Sequence, residues 1–188
     1  MLGDRFSGCL RSAQAGDAEA FALLFRDLGP AVIRYLRALA PTAAEDLASE
    51  TWFDVARGLP QFSGDESGFR GWVLTIARHR RADWLRSMAR RPPETPAGMS
   101  LSELRDDQDT LAAAEERLST EAALGLIATL PPAQAEVVIL RAVVGLSVAE
   151  VASVVGRQPG AIRVLAHRGL RRLDQLLTDQ RTDRGVTR

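Results

Sequence analysis

Apolar positions recur three and four residues apart along most of the chain, and nowhere alternate as a half-buried strand requires, so the expected fold is all-α. Asp17 is placed to cap a helix burying Phe21, Leu24 and Phe25, and the pattern resumes at Val32, Ile33, Leu36 and Leu39. Gly29-Pro30 between them predicts an interruption or bend. Thr42 and Glu45 form a capping-box pattern opening a further helix. Its inward positions are Leu47, Thr51, Trp52 and Val55, which leaves Glu45, Asp46, Ser49, Glu50 and Asp54 facing water, and Gly58 and Pro60 stop it. The polar stretch FSGDESGFRGW reads as a loop running into a helix anchored by Phe69, Trp72, Val73 and Ile76. A helix from Thr120 carries Leu124, Ile127 and Leu130, Pro131-Pro132 breaks it, and Pro132 opens another that ends at Gly145.

Leu146 to Leu173 carries the sharpest local signal. Ser147 and Glu150 have capping-box spacing, Leu146 and Val151 that of a hydrophobic staple, and Gly156 stands where a left-handed residue ends a helix. Pro159 suits the first turn of the next helix, whose predicted buried stripe is Ile162, Leu165, Ala166, Gly169, Leu173, Leu176 and Leu177. Arg163, His167, Arg168, Arg171 and Arg172 lie off that stripe. Two short helices joined by a tight turn, the second presenting a basic face from its N-terminus, form a helix-turn-helix pattern. Side chains there reach base edges in a major groove, while arginines and the helix dipole meet phosphates. The same pattern is compatible with two core helices bearing a solvated arginine face.

The formal net charge of zero conceals segregation. From Arg70 to Arg91 seven arginines stand against one acid, Asp83; from Arg157 to Arg172 there are five arginines and no acid. Between them, Ser102 to Glu121 holds seven acids and two arginines. Two basic patches flanking an acidic connector point to two contacts with one polyanion. All the basic residues are Arg, with no Lys, so arginine identity by itself proves little. The Pro-rich stretch RPPETPAGMS marks a domain boundary, which gives a first domain over 1–90, an acidic linker over 91–118, a second domain over 119–180 and a polar tail over 181–188.

The basic half of the helix after Ile76, ARHRRADWLRSMARR, interleaves arginines with Trp84 beside a polar loop, the ingredients for gripping a nucleic-acid backbone and accommodating unstacked bases. Trp72 is expected in the core; Trp84 fits a core position or a base-stacking one equally well. The single cysteine, Cys9, excludes an internal disulfide and is expected to be a packing residue; with His79 and His167 it makes no metal set, and no cofactor is implied. No nucleophile with its base and no phosphate-cradling glycine loop stands out, so an enzyme is the least expected class. The N-terminus lacks a signal-peptide core and no apolar run is long enough to span a bilayer, so a cytoplasmic protein without membrane insertion is expected.

Taken in order, these stretches resemble the small two-domain extracytoplasmic-function (ECF) class of the bacterial sigma-70 family. GDAEAFALLFRDLGPAVIRYLRAL is similar to its opening helices, AEDLASETWFDVARGLPQF to its polymerase-binding helix, and FRGWVLTIARHRRADWLR to its −10 region. LPPAQAEVVILRAVVGLSVAEVASVVGRQPGAIRVLAHRGLRRL is similar to its −35 domain. The resemblance implies a first domain docking on core RNA polymerase, at the β′ clamp helices and with the β subunit also in contact, through Asp46, Ser49 and Glu50. Ser49 stands where the family commonly has glutamine. It further implies capture of the melted −10 strand by the loop Ser63, Gly64, Asp65, Glu66 and Ser67 and by Arg78, His79, Arg80, Arg81, Trp84 and Arg86, with His79 where asparagine is usual. The −35 duplex would be read by Arg157, Gln158, Gly160, Arg163, His167 and Arg168, with Arg171 and Arg172 on phosphates, and Leu165, in place of a frequent arginine, would pack. Promoter DNA, core polymerase and an anti-sigma factor are the implied partners. Two other readings compete: an ordinary helix-turn-helix regulator with an N-terminal sensor or dimerisation domain, and a helical interaction protein that binds no DNA. The first has no use for the second basic patch, and the second leaves both patches unexplained.

Overall fold

In the computed structural model, which describes residues 2–90 and 122–186 with side chains to Thr178, every regular element is helical. Asp17 caps helix α2 (Ala18–Leu39) as its side chain accepts from the N–H groups of Glu19 (2.9 Å) and Ala20 (3.3 Å). Helix α2 then runs unbroken over Ala18–Leu39, so the expected interruption at Pro30 is absent. Pro30 is exposed, which lets water serve the carbonyl that loses its donor, and Leu24 and Leu28 before it and Val32, Tyr35 and Leu36 after it are buried in one core. Phe25, expected inside, is instead half-exposed, its ring set edge-on against Trp52 at 4.9 Å. A short helix that the pattern did not announce, α1 (Phe6–Gln14), buries Phe6, Leu10 and Ala13.

Helix α3 spans Ala44–Gly58 and buries Leu47, Thr51, Trp52 and Val55 as its spacing predicts. The Thr42 capping box does not form: Pro41–Ala43 is a 3-10 turn, the helix has no side-chain cap, and the Glu45 carboxylate binds the Arg37 guanidinium at 2.7 Å. Asp54 departs from the exposed acidic face, since its side chain lies between Arg57 and Arg80 and is largely sequestered. Helix α4, Glu66–Arg90, starts inside the stretch expected to be loop. Asp65 initiates it by accepting from Gly68 N–H at 2.7 Å. Phe6, Phe62, Phe69 and Trp72 form one aromatic cluster, with the Phe62 and Trp72 rings stacked at 4.9 Å, so Trp72 is a packing residue. Gly58 permits that stack, because a Cβ there would fall 2.9 Å from the Trp72 ring.

The second half comprises α5 over residues 122–128, α6 (Pro132–Val138) extended by one π turn (Ile139–Val143), α7 (Val148–Val155) and α8 (Pro159–Val186). Both halves of the predicted α7 capping box are present: Glu150 N–H donates to Ser147 Oγ (3.2 Å) and Ser147 N–H to the Glu150 carboxylate (2.6 Å). Gly156 ends α7 at φ 69°, as expected of a left-handed C-cap. Ile162 and Gly169 lie on the buried stripe of α8, but Leu177 is exposed. The helix continues to Val186, through the stretch expected to be a polar tail.

The expected linker, 91–118, falls outside the described residues, and the halves it would join are packed together: α4 lies along α7, and α2 against the π turn. Ile139, Leu140 and Val144 on one side and Tyr35, Leu36 and Val73 on the other belong to a continuous buried cluster.

Candidate nucleic-acid interface

Gly156 and Pro159 fix the turn of the helix-turn-helix, and α6 and α7 supply the bed on which α8 lies. Arg157, Gln158 and Gly160 at the turn, and Arg163, His167, Arg168, Arg171 and Arg172 along α8, are all exposed. The five guanidinium groups make no ion pair among the described residues. Arg168, Arg171 and Arg172 line one shallow groove with Gln134 and Gln175, in a geometry suited to an anion. Leu165 is half-buried against the core, as its place on the stripe requires.

The basic face of α4 is divided. His79 and Arg86 are exposed, and Arg86 pairs with Asp83 one turn back. Arg80 turns toward α3, donating to Asp54 (2.6 Å from Nε) with Glu50 3.6 Å away, so its charge is already matched. Trp84 is half-buried, packs on the core and lines a groove with Asp46, Leu47, Glu50 and Met88. In the segment before it, Ser63, Gly64 and Asp65 are exposed, whereas Glu66 accepts from the N–H groups of Leu2 (2.6 Å) and Gly3 (3.1 Å) and thereby holds the start of the chain.

Ser67, Arg78 and Arg81 are engaged by the other half of the molecule. Ser67 Oγ donates to Glu150 Oε1 at 2.6 Å, and Arg70, beside it, to the Val144 carbonyl at 2.9 Å. Further along, Arg78 Nε donates to Glu136 Oε1 at 3.1 Å, Tyr35 Oη donates to the same oxygen at 3.0 Å, and Arg81 Nη1 lies 3.9 Å from it. Arg81 also donates to the Leu39 carbonyl at 3.2 Å. Glu136 is a buried carboxylate, 7% exposed, and is absent from the residues that the sequence pattern singles out. The signal was available: it is a lone acid among Ala135, Val137, Val138, Ile139 and Leu140. Burial, followed by the charge of Glu136 and the hydrogen bond to it, raises the Tyr35 pKa. For Glu150, burial pushes the pKa up, but hydrogen bonds from Ser147 and Ser67 together with the Arg70 charge outweigh it and leave a net lowering.

Asp46, Ser49 and Glu50 share the exposed face of α3. Beside Ser49 opens a mainly apolar groove of about 560 Å³ lined by Phe25, Ile33, Ala48 and Trp52, with Arg26 and Glu45 on its rim. The sequence pattern places Phe25 in the core and so gives no sign of this groove. Among the described residues no group of three His, Cys, Asp or Glu could hold a metal ion, and no helix is long and apolar enough to cross a membrane. Cys9 is half-buried and donates to the Ala20 carbonyl.

A helix-turn-helix whose exposed arginines have no ion-pair partner among the described residues, packed on a second helical half, defines a DNA-binding factor. Residues 24–91 match the family model described as Sigma-70 region 2, and residues 120–173 that described as Sigma-70, region 4. The chain is 37% identical over 177 residues to the ECF RNA polymerase sigma factor BldN of Streptomyces coelicolor, covering 93% of this chain and 67% of that one. It is 36% identical over 175 residues to ShbA of Streptomyces griseus, another ECF sigma factor, covering 87% and 91%. Among solved structures, CnrH in complex with the cytosolic domain of CnrY shares the fold, with a TM-score of 0.68 at 23% identity over 94% of this chain and 99% of that one. The chain belongs to the ECF class of the sigma-70 family and is an alternative RNA polymerase sigma factor, a transcription initiation factor. The match to region 2 removes the reading of the N-terminal half as a sensor or dimerisation domain.

Proposed function

We propose that α8 reads the −35 duplex, that the basic face of α4 with residues 63–67 holds the melted −10 strand, and that α3 docks on core polymerase in the cytoplasm. The observation that carries the reading is the α8 face, where exposed guanidinium groups without partners among the described residues begin at a helix N-terminus. The α3 surface suits an amphipathic helix: Asp46 and Glu50 offer charge, and the groove at Phe25 and Trp52 offers an apolar anchor site. An anti-sigma partner is proposed by analogy with the sigma factor RpoE of Bartonella quintana, whose structure was solved in complex with the anti-sigma factor NepR. Specificity and melting are the work of this chain, and bond-making that of the polymerase. Reconstitution with core polymerase tests this: the complex should initiate at defined sites on genomic fragments, while the chain alone binds the same duplexes weakly. Unaltered start sites with and without the chain would count against the assignment.

A further inference from the structure

In the chain as folded here, three of the side chains proposed to meet the melted strand, Ser67, Arg78 and Arg81, are already in contact with the −35 half. Arg78 Nε and Tyr35 Oη converge on one oxygen of the buried Glu136 carboxylate at 3.1 and 3.0 Å, with Arg81 Nη1 3.9 Å away. Ser67 and Arg70, along the same helix, bind Glu150 and the Val144 carbonyl. These contacts run from residue 67 to residue 81, so a strand lying on this side of α4 meets α7 and the end of α6 before it meets the arginines. A carboxylate and a phosphate present guanidinium groups with the same anionic oxygen acceptors.

We propose that Glu136 stands in for a nucleic-acid phosphate: it latches the two halves by occupying Arg78 and Arg81, and strand capture exchanges it for a backbone phosphate as the halves part. The latch rests on the assignment of α4 to the melted strand. Its chemistry favours exchange over permanent closure. A buried ion pair recovers little more than the cost of desolvating its members, whereas a strand brings several phosphates and the release of their counterions. Arg80 is outside the latch, being matched by Asp54 and Glu50 within its own half, so closure sequesters some of the basic residues and spares others.

The test uses the full-length chain without polymerase and a fluorescently labelled mixed-sequence single-stranded DNA at fixed ionic strength. Glu136→Gln keeps the shape and an acceptor for Tyr35 while removing the charge. It should bind the strand about tenfold more tightly than the unaltered chain, a differential of about 1.4 kcal/mol. Adding Arg78→Ala and Arg81→Ala should abolish that gain. A second arm needs no loss of Glu136: in a Cys9→Ser background, Ser67→Cys and Glu150→Cys joined by a short reductant-cleavable linker should suppress strand binding until reduction restores it. Circular dichroism checks that each variant is folded. If Glu136→Gln binds no better and the crosslinked chain binds as well as the reduced one, the latch is wrong. If instead Glu136→Gln gains affinity that survives loss of both arginines, the assignment of this face of α4 to the strand fails, and the proposed site with it.

Discussion

The Tyr35 hydroxyl on α2 donates to Glu136 on α6 across 101 residues of sequence, with both residues buried. Tyr35 is the chain's one tyrosine, so its ionisation can be followed without interference from another phenol. Its pKa is raised, which means that the folded chain keeps a proton that the unfolded chain gives up near the ordinary tyrosine value, about 10. The stabilisation is complete below that value and drains away as pH rises through the higher folded one. Tyrosinate absorbance should therefore appear above the ordinary range and together with loss of the contact between the halves. Tyr35→Phe should remove the tyrosine's share of the alkaline dependence and cost about 1–3 kcal/mol in urea unfolding, since a buried carboxylate loses one donor. Ionisation at the ordinary pH with the fold intact would mean that the hydroxyl is open to water.

The capping box of α7 sits at the seam, because Glu150 serves both Ser147 in its own half and Ser67 in the other. Ser147→Ala should destabilise the C-terminal half by about 1 kcal/mol, the usual worth of an N-cap. The net lowering of the Glu150 pKa sets the sign of the acid dependence: its contribution is present above the unfolded carboxylate value and is lost as pH falls through the folded one. Glu150→Gln should flatten that part of the acid limb in a thermal melt series. An unchanged acid limb would place the titrating carboxylate elsewhere.

Gly169 lets α8 approach α6, since a Cβ there would stand 2.6 Å from Val138 Cγ2. Gly169→Ala should cost about 1–3 kcal/mol by overpacking, even though alanine is the better helix former. Val138→Ala in the same chain should recover much of that loss by vacating the space, and a double-mutant cycle on the unfolding free energies measures the coupling. Additive effects would show that the two helices do not meet at this pair.

The parts of the molecule legible in the sequence are those where local rules and tertiary packing agree. Ser147, Glu150, Gly156 and Pro159 bound α7 and start α8 where their chemistry dictates, and the off-stripe arginines of α8 are exposed as periodicity predicts. Where the two disagree, packing wins. Pro30 stays within α2 because buried residues on both sides hold the helix together, and Phe25 faces outward because Leu24 and Leu28 fill that part of the core. Periodicity specifies which face is buried and says nothing about its neighbour. It therefore puts Asp54 and Arg80 on separate exposed surfaces although they bind each other, and it does not show the partners of Glu136, which lie on α2 and α4.

The two ends of the α8 arginine face should fail differently on mutation. Arg163 lies on the first turns of α8, where a side chain entering the major groove reaches base edges, and a bidentate contact to guanine is worth roughly 1–3 kcal/mol of discrimination. Arg171 lies about two turns further along, in the groove it shares with Arg168, Arg172 and Gln175, where a backbone phosphate is the fitting ligand. Arg163→Ala in the reconstituted holoenzyme should relax preference at one or two −35 positions and leave other promoters little changed. Arg171→Ala should weaken every promoter to a similar extent and reduce the slope of log affinity against log salt by about 0.9, the loss of one neutralised phosphate. Binding to a set of single-base −35 variants at several salt concentrations separates these outcomes. Uniform weakening by Arg163→Ala with an altered salt slope would reassign it to the backbone, and a position-specific loss with Arg171→Ala would place the base-reading surface further along α8.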